Sequence, residues 1–252
     1  MRKLRAWVWI VAAVLLLGIV TRERQAFAAM TVGWSDFVRV DATYFAPSIP
    51  SAERQRLLLL LEEARQRVSQ LYGPLRGRPQ LIVSDAASMG RFSDTPTAVT
   101  HYQLNGAFTA IGPRGQNVDV MAHELAHAEL YARIGYRKLV WCVPTWLDEG
   151  LAVQFDLRPT HAESAFQQRV HEGWPVPPLS QLTTHAGFFA GPRSVVRFHY
   201  ATARKAVGAW LRTRGHVEAV RQIEKLDCSR EAAAEIERIA QSLSGVAAKS
   251  RR

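Results

Sequence analysis

Two histidines four residues apart, with a glutamate after the first, constrain this chain more than any other stretch: His123-Glu124-Leu125-Ala126-His127. At about 3.6 residues per turn, side chains four apart share a helix face, and the next residue lies about 100° further round. Only as a helix does the segment bring both imidazoles to one point with Glu124 beside it. Val118, Met121, Leu125 and Ala132 fall on the opposite side, which predicts a helix between a core and a polar cleft. Asn117 is the predicted N-cap, and Gly135 a left-handed stop just after Ile134.

The surrounding pattern supplies the rest of an α+β fold. Asp36 to Phe45 alternates like a strand, and Ser51 to Tyr72 carries Leu57, Leu58, Leu61, Ala64, Val68 and Leu71 at helical spacing before Gly73-Pro74. Gln80 to Ser84, Val99 to Leu104 and Ala107 to Ile111 read as short strands of a small sheet. Thr145-Trp146-Leu147-Asp148 has the form of a capping box and predicts a helix start, with Asp148 as part of the cap. Pro175 to Thr184 reads as a loop. Tyr200 to Arg214, Val217 to Leu226 and Arg230 to Leu243 read as helices, so the C-terminal part is mainly helical.

Composition removes several alternatives. Of 252 residues, 48% are apolar and 21% charged, which excludes a disordered chain, collagen and a multi-span membrane protein. Two cysteines exclude a thiolate cluster, so a metal would need histidine and carboxylate ligands. The formal charge is +10, but the arginines are dispersed, which reads as a solvated surface; no nucleic-acid partner is expected. Arg2, Lys3 and Arg5, the apolar run from Ala6 to Val20 and Ala26-Phe27-Ala28 together read as an export signal. Residues 1–28 read as a cleaved signal peptide, which the shortness of the apolar run favours, or as a signal anchor, which the charges from Arg22 to Arg24 favour and which would give membrane association through residues 6–20. Residues 29–252 form the remaining domain, periplasmic or secreted. In that setting Cys142 and Cys228 either form one disulfide or remain buried thiols.

The class of metal site turns on a third ligand. Leu130 and Arg133 stand where a metzincin needs glycine and histidine, which removes that class. Trp146-Leu147-Asp148-Glu149-Gly150-Leu151-Ala152 places Glu149 in an early helical turn, 22 residues after His127. With His123 to His127 and Pro144 to Ala152, the chain resembles the gluzincin metallopeptidases, the group related to thermolysin and the zinc aminopeptidases. Weaker similarity runs from about Gly106 to Gly215.

That resemblance implies a zincin-like domain with one Zn²⁺ held by His123, His127 and Glu149, and Glu124 as general base. It implies a peptide or protein substrate and an oxyanion donor on a helix after the third ligand, here Tyr200, with His199 as competitor. Gly106 to Ala110 would be either the edge strand on which substrate pairs or a plain core strand. Lack of a glutamate-rich exopeptidase motif at that strand favours an endopeptidase. Val153 stands where thermolysin-like enzymes carry a carboxylate, so the partner that orients the histidines has no candidate. His101, His161, His171, His185 and His216 read as surface or loop residues. The alternative function is a catalytically silent or latent peptide-binding or assembly factor on the same fold.

Overall fold

A computed structural model describes residues 24–249, with side chains described as far as Ile239. The positive segment and apolar run of the expected signal or anchor lie outside the described residues. Helix α1 (Arg24–Met30) contains the small-residue pattern Ala26-Phe27-Ala28; it buries Ala26 and Ala29, and Gln80 Nε2 donates to the Ala29 carbonyl at 3.0 Å.

The stretch from Asp36 to Phe45 is two strands, β1 (Val38–Val40) and β2 (Thr43–Phe45), where the alternation predicts one. Asp41, at φ 53°, starts a two-residue turn that folds β2 back antiparallel on β1. Helix α2 (Ser51–Tyr72) has the predicted bounds and ends at Gly73, whose φ is 69°. Its stripe of Leu57, Leu61, Ala64 and Val68 is fully buried, about 1.5–3 kcal/mol of hydrophobic stabilisation for each leucine. Strands β3 (Gln80–Val83), β4 (Ala98–Gln103) and β5 (Gly106–Ile111) complete a mixed sheet in the order β1-β2-β3-β5-β4. Leu81, Ile82 and Val83 are all buried, as a central parallel strand requires. β4 is the edge; β5 lies inside, between β3 and β4, so of the two readings of Gly106 to Ala110 the sheet order gives the core strand.

Helix α3 (Val118–Ile134) packs on β4 and β5 on one side and along α2 on another. Asn117 caps it, its side chain accepting from Val120 N at 3.1 Å, and Gly135 ends it at φ 80°. Every residue from Val120 to Leu130 is buried, so the helix is surrounded rather than two-faced; Ala132, expected on the apolar stripe, is exposed. Near its end Glu129 accepts from the backbone of Arg76 and Gly77 and pairs with Arg133, tying α3 to the loop after α2.

Ten α-helices among the described residues make the fold α+β. α4 (Tyr136–Cys142) follows directly, then α5 (Thr145–Ala152). α5 starts where expected but without the capping box: Pro144 occupies the cap position, no side chain caps the helix, and Asp148 faces elsewhere. After α6 (Glu163–His171) and the short α7 (His185–Phe188), α8 (Arg193–Arg214) begins almost two turns before the predicted Tyr200. α9 (His216–Glu224) and α10 (Arg230–Lys249) close the chain. The stretch from Pro175 to Thr184 is a loop containing one 3₁₀ turn, Leu179–Leu182.

α5 lies between α3 and α8. Gly150 permits this: a Cβ there would sit 2.7 Å from Val207 Cγ2 and 3.0 Å from the Ala203 carbonyl oxygen of α8. Cys142 and Cys228 form a disulfide, 86 residues apart in sequence, which decides between the two readings of the cysteines.

Candidate metal centre

α3 and α5 meet at a point where three acceptor atoms converge. His123 Nε2 lies 3.2 Å from His127 Nε2 and 3.2 Å from Glu149 Oε2, and His127 Nε2 lies 3.5 Å from Glu149 Oε2. A tetrahedral ion with bonds of about 2.0–2.1 Å holds its ligands about 3.3–3.4 Å apart, which these three spacings match. Glu149 Oε2 is buried and takes no hydrogen bond. The three residues form a buried group that can hold one metal ion. Burial would raise the Glu149 pKa, but the imidazoles of His127 and His123 outweigh it and hold the carboxyl far below its usual range. The group is therefore an anion facing two ring nitrogens, the donor set of a His₂Glu site.

Asp148 is the orienting group that has no candidate in the sequence. His127 Nδ1 donates to Asp148 Oδ1 at 2.7 Å, which turns Nε2 towards the convergence point, where a metal would displace its proton. Asp148 Oδ2 in turn accepts from the Tyr102 hydroxyl at 3.1 Å. Burial disfavours protonated His127, yet Asp148 and Glu149 carry its pKa well above the ordinary value. Asp148, expected to act as a cap, thus sits one residue before Glu149 and belongs to the site.

Glu124 stands beside the convergence point and outside the ligand group, as the helical spacing predicts. Thr100 on β4 donates to its Oε2 at 2.8 Å and lies 3.0 Å from Thr109 Oγ1 on the neighbouring strand. Thr100 and Tyr102 are alternate residues of the edge strand and so share a face. One holds Glu124; the other holds the aspartate that orients His127. Polar residues at i and i+2 in a strand beside the motif helix are the sequence signal that marks them.

Tyr200, on α8, closes the opposite side. Its ring centroid is 5.9 Å from that of His123, 5.2 Å from His161 and 5.0 Å from Phe188. Burial, then the charges of Glu149 and Glu124, raise its pKa well above the usual value, so it keeps its proton and can donate. His199 is turned away, its Nδ1 hydrogen-bonded to the Phe188 carbonyl at 2.6 Å, and it does not line the cavity. His161, expected on the surface, is buried in the cavity wall with Nε2 3.4 Å from Asp156. Burial lowers its pKa to about 4 in spite of that carboxylate. His101 is also engaged, with Nε2 2.8 Å from the Phe92 carbonyl oxygen, and exposed His185 lies at the cavity rim.

One cavity of about 890 Å³ contains His123, Glu124, His127, Glu149 and Tyr200 in its walls, with β4 along one side. Its size admits several residues of an extended chain. No known family model matches this sequence, and no curated protein matches it. What the site can do is therefore argued from its own residues.

Proposed function

We propose that the chain is a zinc-dependent peptidase of the gluzincin kind, an endopeptidase acting on peptide or protein substrates. The observation that carries the reading is the convergence of His123, His127 and Glu149 on one point, with Glu124 fixed beside it in an open cavity. Zinc, when bound, supplies Lewis acidity and a water whose pKa falls to about 7.

The chain's own residues then have separate tasks. Glu124, held by Thr100, takes the proton of the attacking water and returns it to the departing amine. Tyr200, kept protonated by its surroundings, donates to the oxygen that gains charge as the carbonyl is attacked. Asp148 fixes the orientation and tautomer of His127. The free edge of β4 offers backbone groups to an extended substrate; β5, paired on both sides, does not. The disulfide supports export to an oxidising compartment. No helix among the described residues is long and apolar enough to cross a membrane.

The test is metal content together with hydrolysis of an unfolded protein, for the chain and its Glu124→Gln variant. One zinc per chain in both, with hydrolysis reduced at least about a hundredfold in the variant, is expected. Equal hydrolysis in both would remove Glu124 as the base. A chain that binds zinc but hydrolyses nothing would favour a peptide-binding factor.

A further inference from the structure

The cavity is electrically divided. Its lining acids, Glu124, Asp148 and Glu149, all stand at the convergence point, while Arg158, Arg193 and Arg197 line other parts of the wall. Arg158 is already matched by Asp156. Arg193 and Arg197 are exposed, with no ion pair or hydrogen bond to another described residue. They occupy the first turns of α8, where no acidic residue is present and the helix dipole disfavours cations. Two unmatched arginines at an electrostatically unfavourable position, both lining a substrate-sized cavity, are a feature that folding alone does not require.

Their spacing indicates what they would meet. Arg193, Arg197 and Tyr200 lie on one face of α8, rising about 10 Å over seven residues. An extended peptide covers that length in about three residues. The two arginines are one turn, about 6 Å, apart, close to the roughly 7 Å between side chains i and i+2 of an extended strand. Arg197 also borders a second cavity of about 260 Å³, whose other arginine, Arg169, is matched by Glu172 at 3.1 Å.

We infer that Arg193 and Arg197 form a subsite for an acidic peptide segment, with carboxylates at alternate residues to one side of the bond placed at Tyr200. The inference rests on the peptidase reading for the identity of that bond, but the recognition of the segment is separable from hydrolysis.

The experiment measures binding by fluorescence anisotropy, using the full chain carrying Glu124→Gln so that no peptide is consumed. The probes are three labelled decapeptides identical except for a central Glu-x-Glu, Gln-x-Gln or Lys-x-Lys. The acidic probe should bind about tenfold tighter than the glutamine probe at low salt, with the gap narrowing as salt is added. Arg193→Glu with Arg197→Glu should reverse the order in favour of the lysine probe. Arg78→Glu with Arg230→Glu makes the same charge change at two exposed arginines outside the cavity, and should leave the preference intact. Equal affinity for acidic and glutamine probes, or an equal loss in the second pair of variants, would overturn the subsite. Hydrolysis of the glutamine probe by the chain with Glu124 intact is followed separately, so a failed peptidase reading is not mistaken for a failed subsite.

Discussion

Replacing Asp148 by Asn keeps the shape of the hydrogen-bonded row from Tyr102 through Asp148 to His127 and removes its charge. The amide oxygen still reaches His127 Nδ1, now 2.7 Å from Asp148 Oδ1, and the amide nitrogen can donate to the Tyr102 hydroxyl, which lies 3.1 Å from Oδ2. A hydrogen bond to a charged group contributes about 1.5–3 kcal/mol, against about 0.5–1.5 kcal/mol for a neutral one. The difference, about 1–1.5 kcal/mol, falls on the metal-bound form of His127, whose Nδ1–H is polarised by the ion, and so on metal affinity. Zinc should bind about tenfold more weakly in Asp148→Asn, and up to about a hundredfold more weakly in Asp148→Ala, where Nδ1 loses its partner. Competition with a chelator of known affinity at pH 7.5 measures both. A zinc Kd within twofold of the parent in both variants would refute the argument that this contact raises the basicity of the ligand.

Three further outcomes are expected. Thr100→Val removes the donor to Glu124 Oε2 but touches no ligand, so kcat should fall about tenfold with zinc content unchanged; an unaltered kcat would show that Glu124 needs no such support. Replacing Cys142 and Cys228 together by serine opens a closed loop of 86 residues, for which chain entropy gives about 4–5 kcal/mol; Tm should drop by about 10 °C or more, and a drop under about 2 °C would contradict it. His161 is held to about 4 by burial while the unfolded chain titrates near 6.5. Between those values the unfolded state binds the extra proton, so stability from this residue is complete above pH about 6.5 and lost as pH falls to about 4. In urea melts of the metal-free protein, the parent should lose up to about 3 kcal/mol more than His161→Gln over that window, and equal losses would exclude a buried neutral His161.

The parts that sequence alone reveals are those governed by short-range periodicity. Asn117 and Gly135 bracket α3, Gly73 ends α2, and the positions of His123, Glu124 and His127 follow from helical spacing with no tertiary information. Glu149 was reachable because a family-like segment surrounds it. The errors share a different physical origin. Asp148 fits a cap in one dimension, and only the packing of α5 against α3 shows that it meets His127 instead. His161 carries no ligand spacing, and its burial depends on α8 closing over the turn before α6. Which strand is the edge is decided by sheet order, and β5 reads the same in sequence whether paired on one side or two. The single strand expected from Asp36 to Phe45 failed because Asp41 tolerates positive φ, a turn signal weaker than glycine.

Gly150 has a consequence beyond close packing. The distance between His123 and His127 is written inside one helix and changes only if α3 unwinds. The distance from Glu149 to Tyr200 is written between helices, and the contact of Gly150 with Ala203 and Val207 sets the thickness of that joint between α5 and α8. The centre thus has one fixed dimension and one adjustable dimension, as a caliper does. A residue with no side chain and no chemistry serves as its stop: a single methyl group at 150 would spread the jaws while leaving the two histidines in register.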